Sequence, residues 1–257
     1  AFSGTNSKNP ESQLIQASNG RLYGVSTNGG TGDFGTLYSY NISTSTYSRL
    51  LSFYQRSNGG DPSGSLFKAS NGLIYGMTEF GGNNNYGVIF SINPATNAYT
   101  KLFDFPLGTS TRGGLMQASN GKLYGMTESG GVNGYGSIFS YDISTATYAT
   151  VFSFSTLTGT LPHGNLMQAT NGKLYGMTRY GGTSSKGVIF SFDYSTSTYT
   201  ELFNFTGIAN GERPTGGLIQ ASNGKLYGGT TIGGASGDGC IFSFNYTTLV
   251  FTKIMDC

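Results

Sequence analysis

Glu79, Glu128 and Arg179 occupy one position in three successive copies of a motif, each directly after Leu/Ile-Tyr-Gly-Met-Thr. Two carboxylates held roughly 5–9.5 Å apart across a glycosidic bond can hydrolyse it, one as acid and the other as base or nucleophile. Some five-bladed folds do host glycoside hydrolases, which is analogy alone. The plainer reading is preferred: solvated loop charges, with Glu128 pairing to Arg179, an exposed pair of small energetic weight.

Phe34, Tyr86 and Tyr135 recur four or five residues after a Gly-Gly pair, each just before another glycine. Aromatic faces stack on sugar rings, and loop Asn or Asp can bond the hydroxyls. The competing reading packs each ring down onto the edge of its own sheet. His163 is the only histidine and has no Cys or Ser in local register, so it reads as a lone loop residue.

These residues sit within a phrase written five times. An Asn-Gly turn followed by Leu/Ile-Tyr-Gly occurs at Asn19, Asn71, Asn120, Asn171 and Asn223, at spacings of 52, 49, 51 and 52 residues. A period near 50 is the mark of a repeat architecture. In the third copy, Leu115–Ser119 and Lys122–Thr127 flank an Asn-Gly turn, the strongest short-range hairpin signal. Ser137–Tyr141 and Tyr148–Phe154 follow as two more alternating runs. No stretch has helical periodicity. The fold class expected is all-β: a five-bladed β-propeller with four antiparallel strands per blade. The blades fall at about 1–53, 54–105, 106–154, 155–205 and 206–257 of one domain. An open β-solenoid is the second choice. Ala1-Phe2-Ser3 is read as a remnant of a preceding fourth strand.

Composition narrows the function classes. Only 10% of the 257 residues are charged, with net charge +2 and no basic cluster, so a nucleic-acid partner is not expected. No apolar run reaches the length of a membrane-spanning helix. Tyr and Phe make up all of the 14% aromatic content, ample material for packing. Cys240 and Cys257 replace strand or core residues of the other copies, and are read as two buried thiols, with a bridge between adjacent strands as the alternative. Two Cys and one His do not make a metal site. The Gly-Gly pairs precede no helix and so are not phosphate loops; no cofactor is expected. Gln16, Gln117, Gln168 and Gln220 recur on the first strand, with Lys68 breaking the series, and are assigned a structural role.

The phrase Leu-Tyr-Gly-Met-Thr-x-x-Gly-Gly-x-x-x-Tyr-Gly-x-Ile-Phe, carried by Ile74–Phe90 and Leu123–Phe139, resembles the Gloeobacter/Verrucomicrobia repeat of bacterial tandem-repeat proteins. The Pro-x-Gly-x-Leu segments at Pro62, Pro162 and Pro214 fit the same pattern. The resemblance implies secreted or surface-sorted proteins, with no catalytic residues to transfer.

Aligning the copies separates two layers. Turns, strands and Gly-Gly bends repeat. The position after Leu-Tyr-Gly-Met-Thr varies as Thr27, Glu79, Glu128, Arg179 and Thr231, and the position before the inter-repeat glycine as Glu11, Ser63, Arg112, His163 and Thr215. Five equivalent sugar sites would repeat their contacts, so five such sites are not expected. The function expected is a secreted, non-catalytic propeller recognising a glycan or cell-surface polymer through loops held on a rigid scaffold. Phe34, Glu79, Tyr86, Glu128, Tyr135, Arg179 and His163 are its candidate contacts. A self-associating structural protein and a glycoside hydrolase are the alternatives. The location expected is extracellular or at the cell surface.

Overall fold

The computed structural model describes residues 6–257; the strand remnant expected at Ala1-Phe2-Ser3 lies outside them. The fold is all-β, with one antiparallel sheet per repeat, the blade set of a five-bladed β-propeller. The second repeat is typical, with strands Phe67–Lys68, Ile74–Met77, Val88–Asn93 and Ala98–Asp104 in chain order.

The fourth and fifth repeats depart from four strands. Thr160–Pro162 and Glu212–Pro214 each add a short fifth strand. They pair with a second strand that runs on to Tyr180 or Ile232, in register Thr160↔Tyr180 and Glu212↔Ile232. In the first two repeats the same passage forms only the single bridges Lys8↔Asn28 and Gly60↔Phe80. One helical turn, Gln55–Asn58, lies in the segment leading to the second sheet.

The repeated phrase has a local cause. In the Asn-Gly turn the glycine is left-handed (φ 81° at Gly72), a conformation glycine adopts without steric cost. Asn71 Oδ1 accepts from Leu73 N at 3.1 Å, and its amide donates to the Tyr75 hydroxyl at 2.8 Å. The same amide-to-tyrosine bond recurs at Asn19, Asn120, Asn171 and Asn223. One asparagine therefore locks both the turn and the strand after it. The glycine after that tyrosine lies beneath a strand-3 ring. A Cβ on Gly76 would meet Phe90 at 2.4 Å, and one on Gly176 would meet Phe190 at 2.6 Å.

The chain divides into two compact units: one runs through Gln117 and includes Asp142–Tyr148, the other comprises Ala118–Tyr141 and Ala149–Cys257. In the first, Tyr23, Val25, Leu37, Phe53, Ile74, Val88 and Phe90 form a buried cluster. In the second, Tyr175, Met177, Ile189, Phe205, Leu226, Phe242 and Phe244 do the same. Rings from successive repeats stack face to face at 4.2 Å: Phe103 with Tyr148 in the first unit, and Phe152 with Tyr199 and Phe203 with Phe251 in the second. Such a pair adds about 0.5–1.5 kcal/mol beyond its buried area.

The hydroxyl of Tyr99 donates to the carbonyl of Asn58 at 2.7 Å, and Tyr199 donates likewise to Thr158. Burial, with Asp104 or Glu201 nearby, pushes both phenols far above the ordinary range, so both remain donors. The fifth repeat has Phe251 at this place and no hydroxyl. There the thiol of Cys240 donates to the corresponding carbonyl, of Asn210, at 3.4 Å.

Cys240 is buried and free, as its strand position implied. Cys257 is free and exposed, which corrects the expectation of two buried thiols. In the first, third and fourth repeats its position holds a phenylalanine packed on a ring of the following repeat, as Phe205 packs on Phe242 at 5.5 Å. A cysteine side chain is too short for that contact.

Candidate functional site

Two pairs of the variable positions are partners: in each, the residue after Leu/Ile-Tyr-Gly-Met-Thr in one repeat meets the residue before the inter-repeat glycine of the next. In the first unit, Arg112 donates to Glu79 Oε1, with Nε and Nη2 both at 3.1 Å. Glu79 is only 7% exposed, so it is not the solvated loop charge expected from sequence. In the second unit, Glu128 Oε1 bonds Nδ1 of His163. That corrects two readings: Glu128 is bonded to His163, where a pairing with Arg179 was expected, and His163 is not a lone residue.

The polypeptide places these partners by a shared device. The residue before the inter-repeat proline takes a left-handed backbone in four repeats: Asn9, Asp61, Leu161 and Arg213, with φ of 51–55°. In the last three the amide turns toward the strand 2–3 loop of the preceding repeat. Asp61 N donates to Phe34 O at 2.8 Å, Leu161 N to Tyr135 O at 3.1 Å, and Arg213 N to Lys186 O at 3.1 Å. The backbones at Phe34 and Tyr135 thus anchor the next repeat, while their rings stay partly in solvent, 36% and 41% exposed. Tyr86 is half-buried.

In the first unit the surroundings are acidic. Asp61 N–H donates as described, and Asp61 O accepts from Glu79 N at 3.0 Å. Burial raises the Asp61 carboxyl above its ordinary value; the Arg112 charge opposes this and the Glu11 charge adds to it. In the second unit the corresponding residues are basic. The guanidiniums of Arg179 and Arg213 lie 5.6 and 5.2 Å from the centroid of the Tyr180 ring. Lys186 Nζ is ion-paired to Glu212 Oε2, and Arg213 Nε stands 3.9 Å from the other oxygen. A cleft of about 150 Å³ opens among Tyr180, Ser184, Ser185, Lys186, Glu212 and Arg213. The Nε of Arg179 is buried and has no hydrogen-bond partner among the described residues.

The Gloeobacter/Verrucomicrobia repeat matches residues 1–171 and again 106–257, so every copy is covered. The chain belongs to this family. No curated protein matches it. Among solved structures, the repeat protein is similar in fold to the extracellular domain of BT3049 from B. thetaiotaomicron, a protein named as a hybrid two component system. That match has TM-score 0.62 and 15% identity, covering 96% of this chain and 28% of that one. A second B. thetaiotaomicron extracellular domain, from BT4673, matches with TM-score 0.59 and 15% identity over 86% of this chain and 26% of that one. TolB from Acinetobacter baumannii matches with TM-score 0.57 and 14% identity over 94% of this chain and 54% of that one. The chain therefore spans about half of TolB and about a quarter of each B. thetaiotaomicron chain. At these identities the likeness shows the fold alone. Among the described residues of this family member, no helix is long and apolar enough to cross a membrane.

Sequence reasoning named Arg179 but missed Tyr180, Lys186, Glu212 and Arg213 as a group. A signal was present in the residue before the inter-repeat proline, which reads Asn9, Asp61, Leu161 and Arg213. Reading that column beside the two variable columns would have exposed the change of sign. The first-strand glutamines have a structural task. Gln168 Oε1 accepts from Ser119 N at 3.0 Å and Gln220 Oε1 from Thr170 N at 2.9 Å, each clipping one repeat to the one before.

Proposed function

We propose that the protein is an extracellular, non-catalytic β-propeller that recognises a glycan or cell-surface polymer. Contacts come from its strand 2–3 loops and the segments between repeats. The observation that carries this reading is the partly exposed ring at the loop positions, Phe34 and Tyr135, in a fold whose other rings are largely buried or stacked. Phe80, directly after Glu79, is 43% exposed and adds a third. Each ring stands on a backbone anchored by the hydrogen bonds described, so little ordering remains to be done on binding. The extracellular domains of similar fold support the location. Hydrolysis is not part of the reading, because Glu79 and Glu128 are each engaged by a cationic or imidazole partner from the following repeat.

A glycan array, followed by titration calorimetry on any hit, tests it. Binding that falls at least tenfold in Phe34→Ala or Tyr135→Ala, with melting temperature kept, is expected. An array silent at high protein concentration would sink the reading.

A second reading, self-association, draws on different residues. Leu107, Leu157 and Ile208 stand 79%, 73% and 81% exposed in the turns between repeats. Concentration-dependent mass in analytical ultracentrifugation, abolished by Leu157→Ser with Ile208→Ser, would favour it.

A further inference from the structure

We propose that the cleft beside Tyr180 binds the anionic group of an acidic sugar, a carboxylate or a sulfate ester. Only 14 lysines and arginines serve the whole chain, and three of them, Arg179, Lys186 and Arg213, gather around this one feature. One carboxylate, Glu212, faces them. Lys186 already holds one oxygen of that carboxylate, and Arg213 is at salt-bridge distance but too far from the other for a hydrogen bond. Two guanidiniums therefore share one tyrosine ring with their charge incompletely answered. Like charges brought together in this way repel, and a bound anion removes the repulsion.

Arg179 does not line the cleft but lies against the ring of Tyr180, which does, so its charge adds to the positive potential there. Arginine's planar fork suits carboxylate and sulfate oxygens alike. Ser184 and Ser185 add polar residues to the cleft lining, and the cleft is small enough that a group, rather than a whole polymer segment, fills it.

The class of carrier rests on the glycan reading; the anion site itself does not. The chain with net charge +2 has no extended basic stripe, so a nucleic acid, which needs a run of phosphate contacts, is not favoured.

The test uses the whole chain and four polymers: polygalacturonate, dextran sulfate, neutral dextran and a single-stranded oligonucleotide. Methyl glucuronide and inorganic sulfate serve as small probes, followed by NMR shifts of arginine side chains. Polygalacturonate or dextran sulfate is expected to bind at least tenfold more tightly than neutral dextran, and to weaken with salt. Which of the two binds better separates carboxylate from sulfate. Arg213→Ala should lose about tenfold. Glu212→Gln should gain severalfold, an opposite sign that misfolding cannot mimic.

Neutral and anionic dextrans binding equally would overturn this inference and leave the glycan reading standing. Silence from every polymer and from methyl glucuronide, with inorganic sulfate still shifting the Arg213 signals, would keep the anion site and sink the glycan reading. No shift with either small probe would overturn the inference. So would oligonucleotide binding equal to that of the acidic polysaccharides, or acidic-polymer binding unchanged in Arg213→Ala.

Discussion

The loop clusters of the two units share a backbone and differ in charge. Asp61 and Arg213 both precede the inter-repeat proline with φ of 55°. Glu79 and Arg179 both follow Leu/Ile-Tyr-Gly-Met-Thr, and Phe80 and Tyr180 come next. In the first unit, Glu79 is buried and engaged by Arg112. In the second, Arg179 has its buried Nε unsatisfied and lies against a ring with a second guanidinium nearby. One scaffold has thus been completed internally in one place and left short of acceptors in another. An arrangement closed on itself serves stability; an arrangement missing an acceptor is the better candidate for recognition.

The largest effect should come from the part the two units have in common. Gly87 and Gly187 have φ of 90° and 101°, and an added Cβ would lie 2.0 or 2.3 Å from the carbonyl oxygen of Thr78 or Thr178. Alanine at either place should cost about 3 kcal/mol, through steric overlap and left-handed strain. Chemical denaturation should give similar losses for both variants. A large loss at one glycine and none at the other would show that the scaffolds are not equivalent.

Arg213→Asp imports the first unit's residue into the second, on a backbone that Asp61 already tolerates. Affinity for polygalacturonate or dextran sulfate should fall more than tenfold while the melting temperature moves little. Unchanged affinity in calorimetry would remove the functional meaning of the charge difference.

Stability should respond the opposite way around. Glu79→Ala removes the ion pair that Arg112, 48% exposed, makes with a carboxylate only 8% exposed, so a loss of about 1 kcal/mol is expected. Arg179→Ala should change stability by less than about 0.5 kcal/mol, since it removes a group that lacks an acceptor. Equal losses in thermal denaturation would contradict the view that one cluster is closed and the other open.

The smallest effect belongs to Asp61. Its folded pKa is raised from 3.8, chiefly by burial. A group raised in this way loses stability as pH climbs through its folded value. Asp61→Asn keeps a residue type suited to left-handed backbone and removes the ionisation. The variant should melt higher than the parent near neutral pH and at the same temperature well below 3.8. A gain that persists at low pH would assign the effect to something other than this carboxyl.

Much of the fold is legible in the sequence. The Asn-Gly turns, the Leu-Tyr-Gly strands and the strand-3 pattern of Val88-Ile89-Phe90 are local features, and each names its neighbour through hydrogen-bond geometry or strand alternation. The fifth strands were not legible. Thr160–Pro162 and Glu212–Pro214 are three residues long and contain proline, which reads as loop. The candidate site was legible one residue at a time. Glu128, Arg179 and His163 stood out as charges on variable loops, yet nothing in the spacing said that Glu128 would find His163, 35 residues away.

By itself, then, the sequence determined the repeat, its four basic strands and the positions where copies disagree, because those depend on contacts within about fifty residues. Only the tertiary structure decided which disagreements belong together. A loop of one repeat meets the inter-repeat segment of the next, so Glu79 finds Arg112 in one unit and Glu128 finds His163 in the other, while Arg179 and Arg213 gather on the Tyr180 ring. Coulombic and hydrogen-bond energies depend on distance and burial, and those are properties of the packed chain rather than of its order.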